Sequence, residues 1–292
     1  MTTTAERVPQ ERRSTISSAG VRRTASAAVP HAVLLVACFL AVAPFVWSFL
    51  GSFKSFRELI SSRDILPRQW TFANYEEIIT RAHFPDALWN SVLVSTIVTV
   101  ASLFTSSALG YIFAKYRFPG RDLLFGAIIS TMFIPFVVTL VPLYITMANL
   151  GLVNHLGGIT IVGLWTALGV FMMRQFMMSI PDELIDAAHI DGAGEWQVYF
   201  RIILPLAKAP LGALGILVFL GAWDSFLWPS IILTSTENQT LPLLLNGLKS
   251  LYWSRFDLWS AGSMLTVIPV MIVYLFASKY FIRGIAMSGL KG

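Results

Sequence analysis

Residues 123–173 read LLFGAIISTMFIPFVVTLVPLYITMANLGLVNHLGGITIVGLWTALGVFMM, a run of 51 residues without one Asp, Glu, Lys or Arg. An ionisable side chain at the centre of a membrane helix costs about 2.5–3.5 kcal/mol on the insertion scale, so such a run reads as buried in lipid. About 20 residues rising 1.5 Å each cross a hydrocarbon layer of about 30 Å. The run therefore holds two crossings, and its natural break is NLGLVNHLGG at 149–158, where Gly and Asn favour a turn. Working outward, Thr24–Phe53, Ala87–Ala114 and Leu258–Ser278 pass the same test once each. A sixth segment, 210–233, carries Asp224. Its Leu, Ile, Val and Phe residues sum to roughly −4 to −7 kcal/mol against roughly +3 for the Asp, so it inserts with Asp224 facing protein or water. The expected fold is an all-α integral membrane protein: six transmembrane helices at about 31–53, 88–113, 123–148, 157–178, 210–233 and 258–283, one domain over 30–292, with a loop at 179–209.

Composition agrees. Of 292 residues 55% are hydrophobic and only 13% charged, about half the usual charge content, and the mean hydropathy is +0.68. The single Cys38 excludes an intrachain disulfide framework and a Cys-based zinc site. His83, His155 and His189 share no ligand spacing, so no metal is expected. The net charge is +5, but the cations form no stripe that would suit nucleic acid. With both termini inside, the inner side receives fourteen Lys and Arg and the outer side seven, which points to a multi-pass membrane protein with N and C termini cytoplasmic. Residues 1–29, rich in Ser, Thr, Ala and Arg, read as a disordered cytoplasmic tail. A cleaved leader ending at Ala41-Val42-Ala43 is the rival reading, but the apolar run continues past it to Phe53.

The loop SIPDELIDAAHIDGAGEWQVYFRIILP at 179–205 has helix grammar. Pro181 suits a first turn, and Ser179 with Asp182 three residues later resembles a capping box. Leu184, Ala187, Ala188 and Asp191 share one face. Gly192 and Gly194 break the helix, and 195–204 restarts it with an apolar stripe of Trp196, Tyr199, Phe200 and Ile203. A helix with small Ala residues on one flank can approach another protein closely; lying against lipid headgroups is the alternative.

Asp186-Ala187-Ala188, Asp191-Gly192-Ala193 and Ile203-Leu204-Pro205 match, in order and spacing, the cytoplasmic EAA loop of ABC importer membrane subunits, so the chain resembles that family. Asp186 stands where the motif's Glu is usual. The stretches AWDSFLWP at 222–229, QTLP at 239–242, Ile268-Pro269, KYFIRG at 279–284 and GLKG at 289–292 resemble the carbohydrate importers of the maltose type, specifically the smaller permease of the pair. The resemblance covers residue 31 to the end. It implies a permease that moves a di- or oligosaccharide inward by alternating access; a sugar alcohol or glycerophosphodiester is the alternative cargo. It also implies three partners: a second permease, an ATPase dimer that uses ATP and Mg, and an extracytoplasmic sugar-binding protein. The chain itself binds no cofactor and is no enzyme in this reading. Its Lys54 and Lys249 follow Phe53 and Leu248 where a P-loop needs Gly. Asp186, Ala187, Ala188, Asp191, Gly192, Ala193, Ile203 and Pro205 would form the coupling helix that seats in the ATPase.

Two further groups are candidates. Trp223, Asp224, Ser225 and Trp228 lie where Pro229 frees a carbonyl and kinks the helix, and a carboxylate beside indoles suits sugar hydroxyls and ring faces. The family usually has Asn at the position of Asp224. Otherwise Asp224 hydrogen-bonds across a helix interface and the indoles anchor in the lipid belt. Asn238, Gln239, Thr240, Leu241 and Pro242 resemble the segment that reaches toward the binding protein, and serve equally as a turn packing on the bilayer. Met172, Met173, Met177 and Met178 are expected to pack. A stand-alone secondary transporter would show several intramembrane ionisable groups, and a membrane-embedded enzyme a mid-membrane His or nucleophile pair; neither pattern is present.

Overall fold

The computed structural model describes the backbone of residues 18–251 and 255–289, with side chains over 30–248 and 255–276. Among the described residues the chain is helical, without strands. In order the helices are α1 (Ser18–Ser52), α2 (Phe56–Ser61), α3 (Ala73–Arg81), α4 (Phe84–Lys115), α5 (Arg121–Ser130), α6 (Phe136–Asn149), α7 (Leu156–Thr160) and α8 (Ala167–Met177). They continue as α9 (Glu183–Ile190), α10 (Glu195–Val198), a π-helical turn at Tyr199–Ile203, α11 (Leu204–Leu206), α12 (Lys208–Trp223), α13 (Leu227–Ile232), α14 (Leu241–Leu251) and α15 (Phe256–Gly289). Five stretches are long and apolar enough to cross a membrane, and a bent pair makes a sixth.

The chain divides into two units, residues 1–48 and 49–292. The first contains most of α1. Residues 18–29, assigned above to the tail, carry helical backbone, and Ala19, Ala25, Ala27 and Ala28 are the helix formers that support it. Residues 1–17 of that tail lie outside the described residues, as do 290–292 of the closing GLKG. From Pro30 on, Leu35, Phe39 and Phe45 are exposed, the surface a lipid-facing helix presents.

In the second unit α4 is the central post. Its buried stripe runs Ser91, Val94, Ser95, Val98, Ser102 and Ser106, the i, i+3, i+4 spacing of one face. Small residues let α8 come close. A Cβ on Gly169 would collide with Ser106 Oγ, and one on Gly110 would lie 2.6 Å from Met173 Cβ, the small-residue contact that substitutes for a hydrophobic drive between helices in lipid.

The expected third span is not one straight crossing. Residues 121–133 and 136–149 meet at a bend of 103°. Ile134, with φ −83° and ψ 114°, is held in extended backbone by the Pro135 ring that follows it. The fifth span also breaks, between Trp223 and Leu227. Pro229 sits in the first turn of α13, where its missing N–H is no loss. The break expected at 149–158 is formed by Gly151 at φ 70° and Asn154 at φ 61°. Around Phe53 the rings of Trp70, Phe72 and Tyr75 gather at 5.3–5.4 Å, an aromatic cluster within residues 53–75.

Candidate functional site

The end of α4 that carries Lys115 holds a helical hairpin. Lys115 Nζ donates to Asp182 Oδ1 at 2.6 Å and also to Ile180 O. The lysine is buried and the aspartate exposed, and the cation holds the Asp182 carboxyl below the usual carboxylate range. This pairing replaces the expected capping box. Asp182 makes no side-chain cap, and Ser179 Oγ instead donates to Phe176 O at 2.7 Å. Tyr116 OH donates to Glu195 Oε2 at the start of α10, and burial, then that carboxylate, pushes its phenol up. Tyr199 OH meets Ser107 Oγ at 2.7 Å, and burial raises the Tyr199 phenol. Arg174 Nε donates to Phe113 O at 3.2 Å, tying α8 to the same end.

Within the hairpin, α9 ends in a Schellman turn: Gly192 N–H donates to His189 O and Ala193 N–H to Ala188 O, at 3.0 and 2.9 Å. Gly192 adopts φ 82°, the left-handed conformation that costs glycine nothing. One face of α9 is sealed against the chain's own core, where Ile185 and Ala188 join Met173, Met177, Val198 and Ile203. The other face is bare. Leu184 is 44% exposed, Ile190 87% and, just beyond the turn, Trp196 68%; Asp186, Ala187, Asp191 and Gly192 are exposed beside them. Ala193 is half-buried and Pro205 exposed. Two of the expected coupling residues, Ala188 and Ile203, are 8% and 0% exposed and pack in the hairpin's own core. Met173 and Met177 pack as expected, whereas Met178 is exposed.

The second feature is a cavity of about 540 Å³ between α4, α12 and the broken segments. Of the four candidate pathway residues, Ser225 and Trp228 line it, and Trp223 and Asp224 do not. Trp223 stacks on Phe219 at 5.7 Å and is buried among Ile78, Phe84 and Leu241. Asp224 caps α12 and is exposed, its N–H donating to Leu220 O at 2.9 Å. The break after Trp223 changes which residues face the cavity. Trp228 is itself an anchor, with Nε1 donating to Gly158 O at 3.0 Å.

The far end of α4 holds the segment 233–242. Asn90 Nδ2 donates to Glu237 O and Gln239 O at 2.8 and 3.0 Å. Leu241 N–H donates to Ser91 Oγ at 2.8 Å. Asn154 Oδ1 accepts from the N–H groups of Thr234 and Ser235, and Asn238 Nδ2 donates to Asn154 O. Thr240 and Leu241 are thereby buried, 5% and 0% exposed. Asn238, Gln239 and Pro242 are half-buried, and the exposed tip is Thr234, Thr236 and Glu237. The sequence reading gave Lys115, Tyr116, Glu195 and Asn90 no part in a site and took Asn154 only as a turn residue. The left-handed preference of Asn within a Gly-rich turn was the signal available for Asn154.

A family model described as "Binding-protein-dependent transport system inner membrane component" matches residues 106–287. The chain is 37% identical over 261 residues to the arabinooligosaccharides transport system permease protein AraQ of Halalkalibacterium halodurans, covering 87% of this chain and 92% of that one. It is 30% identical over 264 residues to the lactose transport system permease protein LacG of Rhizobium radiobacter, 90% of this chain and 96% of the relative. The crystal structure of a bacterial ABC transporter involved in import of the acidic polysaccharide alginate contains a chain of similar fold, with TM-score 0.78 and 25% identity, over 89% of this chain and 98% of that one.

Proposed function

The chain belongs to the family of binding-protein-dependent transport system inner membrane components, and from that premise we propose that it is the permease of an ATP-driven carbohydrate importer that passes a di- or oligosaccharide by alternating access. It is a multi-pass transport subunit and not an enzyme. Two relatives' names, an arabino-oligosaccharide and a lactose permease, support an oligosaccharide cargo. The working unit pairs this chain with a second permease, an ATPase dimer and an extracytoplasmic sugar-binding protein; ATP and Mg belong to the ATPase. Both termini face the cytoplasm, which puts the hairpin of α9 and α10 on the ATPase side and the 233–242 segment on the binding-protein side.

The observation that carries the reading is the hairpin's two-sidedness. Ile185 and Ala188 bind it to α4 and α8, and the apolar face of Leu184, Ala187 and Ile190, edged by Asp186 and Asp191, is left for another protein. A rigid element fixed on one side and docked on the other transmits a domain closure as a displacement of α4. Exposed Thr234, Thr236 and Glu237, with Asn238 and Gln239, form the contact for the binding protein, and Ser225 faces the route of the sugar.

The test is purification from the native membrane through a tag on this chain, followed by reconstitution with ATP enclosed. Co-purification of an ATP-hydrolysing subunit and ATP-dependent sugar uptake are the expected results. Uptake by the chain alone in vesicles without ATP would overturn the proposal.

A further inference from the structure

Helix α4 handles its hydroxyl groups in two ways. Ser95 Oγ, Thr99 Oγ1 and Ser107 Oγ donate back to the carbonyls of Ser91, Ser95 and Leu103 at 2.6, 2.6 and 2.7 Å, the usual way a membrane helix hides a hydroxyl. Ser102 Oγ does not. It is fully buried, makes no hydrogen bond, and lies on the wall of the 540 Å³ cavity. Thr240 Oγ1, on the same wall and 5% exposed, is also without a partner. Ser106 Oγ, Tyr111 OH, Trp223 Nε1 and Ser235 Oγ are unpartnered too, but none of them lines the cavity, and Ser106 sits in the contact with Gly169.

Buried polar groups without partners are rare because each forfeits its hydration. Two of them on one wall, from elements far apart in sequence, mark a surface made to meet polar atoms that arrive from outside the chain. The rest of the wall tells which kind. Ser91, Thr166 and Ser225 add hydroxyls, and Trp165 and Phe226 add aromatic surface. No Asp, Glu, Lys, Arg or His lines it. Leu241 N–H on Ser91 Oγ places Thr240 near Ser91, and Ser102 lies on the same α4 face about 16 Å of helix rise farther along. The volume is within the range of small-ligand sites.

We infer that Ser102 and Thr240 are substrate-contacting residues of a site for a neutral oligosaccharide of at least two rings, one that excludes anionic sugars. The inference rests on the permease reading above and adds the substrate's charge and two of its contacts. Sugar hydroxyls both donate and accept, so they satisfy the two orphan groups, and apolar ring faces lie against Trp165 and Phe226. A carboxylate or phosphate would enter a wall with no cation to pair it and would stay unpaired away from water.

The experiment uses the complete complex, purified through a tag on this chain and reconstituted with its binding protein outside and ATP inside. Labelled arabinotriose and lactose serve as neutral probes, and a uronic-acid trisaccharide as the anionic one. Wild type should import a neutral probe and reject the anionic one. Ser102→Ala and Thr240→Val should each cut the initial uptake rate at least tenfold while leaving ATP hydrolysis stimulated by the binding protein intact. Both variants remove an unpaired buried hydroxyl, so their thermal midpoints should be unchanged or higher, the opposite of what a structural role requires. Unchanged uptake in both variants, or loss of ATP hydrolysis and thermal stability along with uptake, would overturn the assignment. Preferential import of the uronic-acid probe by wild type would overturn it and leave the permease reading standing. ATP-independent behaviour, or import of none of the three probes, would count against both.

Discussion

At the residue scale Gly192 and the pair of anchors at Lys115 and Tyr116 decide whether the hairpin acts as a lever. A Cβ at Gly192 would meet nothing within 4 Å, so the cost of a side chain there comes from φ 82° alone. For a β-branched residue the left-handed conformation costs about 1–2 kcal/mol, enough to redirect the turn without disturbing the membrane helices. Gly192→Val should insert normally yet lose most uptake, and Gly192→Asn should retain much more, because Asn tolerates that conformation; uptake at matched expression checks it. The anchors also fix a pH range. Asp182 has its carboxyl depressed by Lys115, so its contribution is present above its ordinary value of 3.8 and is lost as pH falls through the lower folded value. Tyr116 has its phenol raised, so its contribution is present below its ordinary value of 10.0 and is lost only as pH rises past that. Hydrogen-exchange protection of residues 183–198, corrected for intrinsic rate, should therefore be level from about pH 5 to 9. A collapse within that range would contradict the anchoring by Lys115 and Tyr116.

At the scale of elements α9 makes opposite demands of adjacent residues. Ile185 is part of the buried cluster, and truncating such a side chain typically costs about 2–5 kcal/mol. Ile190 is 87% exposed, and exposed substitutions usually stay within about 0.5 kcal/mol. Ile185→Ala should lower the thermal midpoint of the purified protein. Ile190→Asp should leave it unchanged and release the ATPase on washing. Equal retention of the ATPase in the two variants would argue that the bare face meets lipid.

The same helix shows how much could be read from the chain alone. Its limits and its glycine stop were legible, because Pro181, the acidic first turn and Gly192 are local signals. Which flank of it faces inward was not. The spacing groups Leu184, Ala187, Ala188 and Asp191, yet Ala188 turns in with Ile185 because α8 supplies Met173 and Met177 there. Lys115 escaped notice for a related reason: its partner Asp182 lies 67 residues away, beyond any periodic pattern. Asp224 drew attention as an acid in an apolar run, but the break before α13 sets it off the cavity wall. Ser102, with no charge to mark it, looked like any other serine of a membrane helix.

Across the whole molecule, two ends of one post carry different tasks. Lys115 and Tyr116 hold the hairpin, and Asn90 and Ser91 hold the 233–242 cap, with the cavity wall between them on the same helix. The five long apolar helices, the bent pair that makes a sixth candidate, and the break at 149–158 followed from hydropathy and turn residues. The 103° bend did not, because hydropathy counts length and is blind to a proline's effect on the residue before it. The central claim is that the bare face of α9 seats in a separate ATPase. With Cys38 replaced by Ser, leaving no native thiol, Ala187→Cys in native membranes should form a cross-link to the ATPase subunit that changes in yield with nucleotide. Absence of that adduct, with the introduced thiol labelled instead by a membrane-impermeant reagent from outside intact cells, would contradict it.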